Sequence, residues 1–251
     1  MLTGSQEYTI EVTGDRILNF PTFEIVQPSF PDVEKAEIVS SGERRVTVKV
    51  HFRQVLTLED ACSVSRLIAA QVADRLAYEY RIGAADPMRG QSHFQDLSVS
   101  GKSQGTVSHS ISAFIAGHEV HTITAADITR LRPFIQSDEP NRDVYFSQLR
   151  WILGQDDPVA KFMHLYKILL SLEGGTRHNQ KPVDDFIVAR DASVQMVYNT
   201  FTKRNETCFT RLRNEVGHEI AGTTPATTRN GMEQHLVQLI EHVKAAIANI
   251  P

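Results

Sequence analysis

"QSDEPNR", Gln136 to Arg142, is a polar stretch with a proline inside it, and it separates two kinds of periodicity in a chain of 251 residues. Clusters of this composition mark the ends of periodic elements, and between two long halves they mark a domain boundary. Upstream of it the dominant period is two. Tyr8–Val12 alternates, Arg44–Phe52 alternates more strongly, and Thr106–Ile115 continues the pattern with β-branched residues. Between these strands, Leu58–Tyr80 has helical spacing, with Ala61, Val64, Leu67, Ile68, Val72, Leu76 and Tyr80 on one face and Thr57 as N-cap. Residues 1–136 are therefore expected to form an α+β domain, roughly four or five strands against one long helix.

Downstream the period changes to that of a helix. Val144, Leu149, Trp151 and Ile152 predict one helix. Asp157 caps a second that opens on Pro158, carries Phe162, Tyr166 and Leu169, and stops at Gly174-Gly175. Val194, Val197, Phe201, Cys208, Phe209, Leu212, Val216 and Ile220 describe one long helix, or two with a break near Thr202. Thr228 is the expected cap of the last helix, whose stripe is Met232, Leu236, Leu239, Ile240, Val243 and Ile247. Residues 137–251 thus read as an all-α bundle of roughly four or five helices, with no strand.

Composition bounds the partners. The chain is 22% charged and 41% hydrophobic, with a formal net charge of -4 and a pI near 6.2, so any contact with phosphate has to be local rather than global. Two cysteines, Cys62 and Cys208, are too few for a disulfide framework and have no metal-binding spacing. The expected compartment is the reducing cytoplasm, and no cofactor or metal is expected. The N-terminus has no basic start followed by an apolar core, and no long apolar run follows, so neither a leader nor a membrane span is expected.

Several apparent motifs fail on spacing. Gly101-Lys102-Ser103 lacks the upstream glycine of a phosphate-binding loop, since Asp96 stands there. His118-Glu119-Val120-His121 is one residue short of a helical zinc pair and reads as a surface turn. His235 and His242 align on the last helix but lack a third ligand, and read as a solvated edge. Gly174–His178 is a helix stop first and a phosphate contact second.

One stretch remains. Arg213-Asn214-Glu215-Val216-Gly217-His218 sits near the end of the penultimate helical segment. It resembles the RNxxxH form of the Rx4-6H motif of HEPN-type helical domains, many of which are metal-independent endoribonucleases or RNA-binding proteins. The longer run Glu206–His218 is also similar to a stretch of MauJ-like proteins associated with methylamine utilisation. The HEPN resemblance covers about the last 110 residues. It implies a homodimer through the helical domain, with paired motifs lining one cleft. It also implies that Arg213 holds a scissile phosphate, His218 moves the proton and Asn214 orients either group. A forked guanidinium and an imidazole titrating near neutrality are sufficient for phosphodiester cleavage by the RNA's own 2′-hydroxyl. Glu206 and Thr210 are the expected supports, and Lys203, Arg204 and Arg211 the candidate RNA contacts.

The bare pattern is weak, because Arg45/His51 and Arg229/His235 also satisfy it. On a regular helix Arg213 lies about 140° from His218, whereas Asn214 is its i,i+4 neighbour and Arg211 the better-aligned cation. Gly217 fits a loosened helix or a close packing contact. The competing reading is a non-catalytic interaction or maturation module in which this polar face is structural and Glu206 pairs with Arg213.

Overall fold

A computed structural model describes residues 1–13, 16–27, 29–41, 44–97, 119–177, 179–217 and 222–251, which divide into two compact units, Met1–Gly154 and Gln155–Pro251. The first contains seven strands among the described residues, β1 (Leu2–Thr13), β2 (Arg16–Ile25), β3 (Val33–Ser41), β4 (Arg45–Val55), β5 (Gly83–Ala84), β6 (Met88–Asp96) and β7 (Glu119–Thr122). Their order is β5-β1-β4-β3-β2-β7, with β6 also pairing β1. All recorded pairs are antiparallel except β2 with β7.

The alternation in β4 explains the layering. Val46, Val48, Val50 and Phe52 are buried, and the register places Tyr8, Val48 and Ile38 side by side across β1, β4 and β3. The intervening Lys49 lies between Glu7 and Glu37 on the other face, where Lys35 bridges Glu24 and Glu37 at 2.7 and 2.9 Å. One face is thus apolar and the other charged, as a half-covered antiparallel sheet requires. Helix α1 (Leu58–Tyr80) covers the apolar face, its first turn closed by Thr57 Oγ1 accepting from Asp60 N at 3.1 Å. It buries Ile68, Val72 and Leu76 as the spacing predicts, but Leu67 is 60% exposed.

Helices α2 (Ala125–Gln136) and α3 (Pro140–Leu153) flank the polar stretch that opened the sequence reading. The division between compact units falls after Gly154, not at 136, because α3 packs on α1 and β5. Arg150 on α3 donates through Nε to Asp74 at 2.5 Å and through Nη1 to Ala84 O, Ala85 O and Asp86 Oδ1 at 3.0–3.2 Å. Strands β2, β3, β6 and β7 were not expected from periodicity. β7 is short, and the pairings of β2, β3 and β6 contain register shifts. Residues 119–122, read as part of a turn, form β7, while Thr106–Ile115, Gly101–Ser103 and His118 lie outside the described residues.

In the second unit, α4 (Pro158–Glu173), α5 (Gln180–Arg190), α6 (Cys208–Gly217) and α7 (Pro225–Ala248) surround Phe162, Tyr166, Leu169, Ile187, Phe209, Met232, Leu239 and Val243. Phe162 and Phe209 stack at 6.4 Å. Asp157 caps α4 as predicted, accepting from Ala160 N at 3.1 Å, and Gly174 ends it. The cap of α7 is Thr224 in a reciprocal box with Thr227, not Thr228, which is buried inside the helix. His235 and His242 are not a solvated edge either. Both rings meet Phe209 edge-on, at 5.5 and 5.3 Å, and burial lowers the pKa of His242 below the usual histidine value. Among the described residues no helix is long and apolar enough to cross a membrane, and no cluster of three or more His, Cys, Asp or Glu side chains is placed to hold a metal.

The clearest departure from the predicted all-helical half is a hairpin, β8 (Met196–Asn199) and β9 (Arg204–Thr207), where one or two helices were expected. Val197, Tyr198, Thr200, Phe201 and Thr202 are β-branched or aromatic and favour a strand over a helix. Asn199 Oδ1 accepts from Phe201 N and Thr202 N at 2.9 and 3.1 Å, and Lys203 takes a left-handed φ of 51°, which closes the turn.

Candidate functional site

β9 runs directly into α6, so the polar residues of both face α5 and α4. Asp184 on α5 is 3% exposed and is the centre of one cluster. Its Oδ1 accepts from Thr207 N at 3.0 Å, Thr207 Oγ1 at 2.8 Å and Thr210 Oγ1 at 2.5 Å, while Oδ2 accepts from Arg204 Nη1 at 2.6 Å. Because the Thr210 hydroxyl is spent on Asp184, the 2.7 Å contact with Tyr166 is a bond donated by the tyrosine. Burial raises the Tyr166 hydroxyl above the usual tyrosine pKa, which keeps that proton in place.

Glu206 is the centre of the second cluster and is completely buried. Its Oε2 accepts from Asn199 Nδ2 at 2.8 Å and from Asn214 Nδ2 at 3.4 Å, and its Oε1 has no partner among the described residues. The Asn214 carboxamide is held on both sides. Oδ1 accepts from Gln180 Nε2 at 2.8 Å and Arg213 Nη1 at 3.0 Å, and Nδ2 also reaches Gln180 Oε1 at 3.4 Å. Glu206 therefore meets Arg213 through Asn214, not as the direct ion pair of the structural reading.

The predicted residues separate into distinct roles. Glu206 and Asn214 do come together, buried, whereas the buried Thr210 belongs to the Asp184 cluster. Arg204 is committed to Asp184 rather than free for RNA, and Arg211 pairs with Glu215 Oε1 at 3.0 Å, whose Oε2 accepts from Thr228 at 2.8 Å. Lys203 is exposed at the hairpin turn. Arg213 is partly exposed, and no salt bridge with a carboxylate is recorded for it among the described residues. His218 and Ile220 lie outside the described residues.

Two expectations about α6 change. Val216, assigned to the core face, is 47% exposed. A Cβ added at Gly217 would meet nothing within 4 Å, so close packing is not its purpose; the glycine that accommodates packing is Gly231 on α7, whose added Cβ would come within 2.8 Å of Leu212 Cδ2. Gly217→Ala is accordingly expected to raise the unfolding free energy by about 0.5–1 kcal/mol, measured by urea titration. A loss of stability would mean that the helix needs glycine's conformational freedom there.

Asp184, Gln180, Tyr166 and Asn199 were missed from sequence. Only Asp184 left a signal: in Lys181-Pro-Val-Asp-Asp-Phe186 it falls on the stripe of Val183 and Ile187, and an acid on an apolar stripe calls for buried donors. Family models, curated proteins and solved structures were all compared with this chain, and none matches it.

Proposed function

We propose that the C-terminal unit binds RNA phosphate through Arg213 and cleaves the backbone with His218 as the proton carrier, acting as a homodimer that brings two motifs to one cleft. One observation carries this reading. Of the three arginines at this site, Arg204 and Arg211 are neutralised by Asp184 and Glu215, whereas Arg213 is steered by the neutral Asn214 carboxamide and has no carboxylate partner among the described residues. A guanidinium aimed without being neutralised retains its charge for an anion. In the reaction, His218 removes the proton from a 2′-hydroxyl and the 2′-oxygen attacks phosphorus. The 5′-oxygen leaves with a returned proton, forming a 2′,3′-cyclic phosphate while Arg213 holds the non-bridging oxygens.

The test incubates labelled single-stranded RNA in EDTA with wild type, His218→Ala and Arg213→Ala. Both variants are expected to cut at least about 100-fold more slowly. Equal cleavage by wild type and His218→Ala would reject the assignment.

A second reading, a non-catalytic interaction or maturation module as the MauJ-like similarity implies, is favoured by a different observation. Glu206, Thr210, Arg204 and Arg211 all make internal bonds. On that reading wild type neither binds nor cuts RNA, and Arg213→Ala lowers the melting temperature by several degrees. On the first reading Arg213→Ala leaves stability nearly unchanged.

A further inference from the structure

We propose that the tip of the β8–β9 hairpin is a base-stacking surface, on which Phe201 and Tyr198 take up unstacked nucleobases of the RNA whose phosphate Arg213 holds. The inference rests on the RNA-binding reading and adds to it a second, uncharged mode of contact. Phe201 is 89% exposed and Tyr198 58% exposed. Large aromatic side chains are normally the main contributors to burial, so two rings left in water three residues apart need a reason.

Floppiness is not that reason, because the tip is held from within. Asn199 is 8% exposed, and its Oδ1 fixes the amides of Phe201 and Thr202. Its Nδ2 is held in turn by Glu206 Oε2, the same oxygen that receives Asn214. One buried carboxylate oxygen thus anchors both the turn that presents Phe201 and the carboxamide that steers Arg213. The two surfaces are built as one preorganised piece.

Chemistry selects the occupant. Exposed Thr200 separates the two rings along the chain and exposed Thr202 follows Phe201, Met196 is exposed on the same face of β8 as Tyr198, and Lys203 stands exposed beside Phe201. Separate flat rings with a cation beside them suit a strand whose bases stack singly and whose backbone is anionic. A protein interface would bury a contiguous apolar centre with its charges at the rim.

The experiment measures anisotropy with a labelled RNA of about twelve nucleotides, every 2′-hydroxyl methylated so that it cannot be cut, beside an abasic oligonucleotide of equal length. Wild type is expected to prefer the RNA with bases. Phe201→Ser and Tyr198→Ser should each weaken that binding about tenfold while leaving abasic binding and the melting temperature unchanged. Arg213→Ala should weaken both ligands. If the ring variants bind like wild type while Arg213→Ala does not, the stacking surface is overturned and the arginine reading stands. If the ring variants weaken and Arg213→Ala does not, the arginine reading fails and the hairpin surface stands. Equal losses of both ligands in the ring variants, or a wild-type dimer that Phe201→Ser turns into a monomer, overturn the stacking surface. Wild type that binds neither ligand overturns both readings.

Discussion

Arg75→Ala is expected to lower the unfolding free energy by about 3–5 kcal/mol, the loss that follows when one partner of a buried ion pair is removed. Arg75 lies on the sheet-covering helix α1 and is completely buried. Its Nη1 donates to Ser137 Oγ at 3.1 Å and Glu139 Oε1 at 3.5 Å, and its Nη2 to Ser137 O at 3.0 Å and Asp143 Oδ1 at 2.7 Å. The guanidinium carbon sits 4.9 Å from the centre of the Phe134 ring and 4.7 Å from that of Phe146. Alanine would remove the cation between two acids, leave the Ser137 carbonyl with only Gln71 Nε2 at 3.2 Å as donor, and open a void between two rings. Arg75→Met fills the void but not the charge and should recover part of the loss; Arg75→Lys cannot reproduce the fork and should not match wild type. Chemical denaturation of the three variants reads all of this. A change below about 1 kcal/mol for alanine would mean that the polar stretch Gln136–Arg142 is a passive connection.

Asp184→Ala is expected to have a similar effect, about 3–5 kcal/mol, because it strands the Arg204 guanidinium and three further donors around a buried position. Asp184→Asn should cost less, since its carbonyl still accepts from Thr207 and Thr210 while its amide faces Arg204. Comparing these losses with Arg213→Ala separates framework from site. Asp184 variants should melt early and lose RNA binding only where they unfold, whereas Arg213→Ala should fold as wild type and bind poorly throughout. If Asp184→Ala melts like wild type, the cluster is not what holds β9, α5 and α6 together.

How much was legible depended on how local the cause was. The strong alternation of Arg44–Phe52, the apolar stripe of α1 with Thr57 before it, and Asp157-Pro158 at the start of α4 each carry their explanation within a few residues, and each stands in the structure. The polar stretch at 136–142 was correctly read as a break between elements and misplaced as a break between units. What binds it to the first unit is Arg75, more than sixty residues earlier. The hairpin was hidden for a different reason. Apolar residues at 194, 197, 201 and 208 happen to match helical spacing, while the deciding bonds run from the Asn199 side chain to its own turn and to Glu206.

By itself, then, the sequence determined the α+β character of the first half, the predominantly helical second half and the choice of Arg213 and Asn214 as polar residues to follow, because periodicity, capping and charge are properties of neighbouring positions. Only the tertiary structure decided which charges are spent and which remain. Arg204 looked as available as Arg213 along the chain, and it differs because folding brings Asp184 to it from α5, while Arg213 meets an amide; Arg211 pairs with Glu215 at the i,i+4 spacing of a single helix. Availability of a charge is a matter of partners in space, and no local pattern records the Arg204–Asp184 pair.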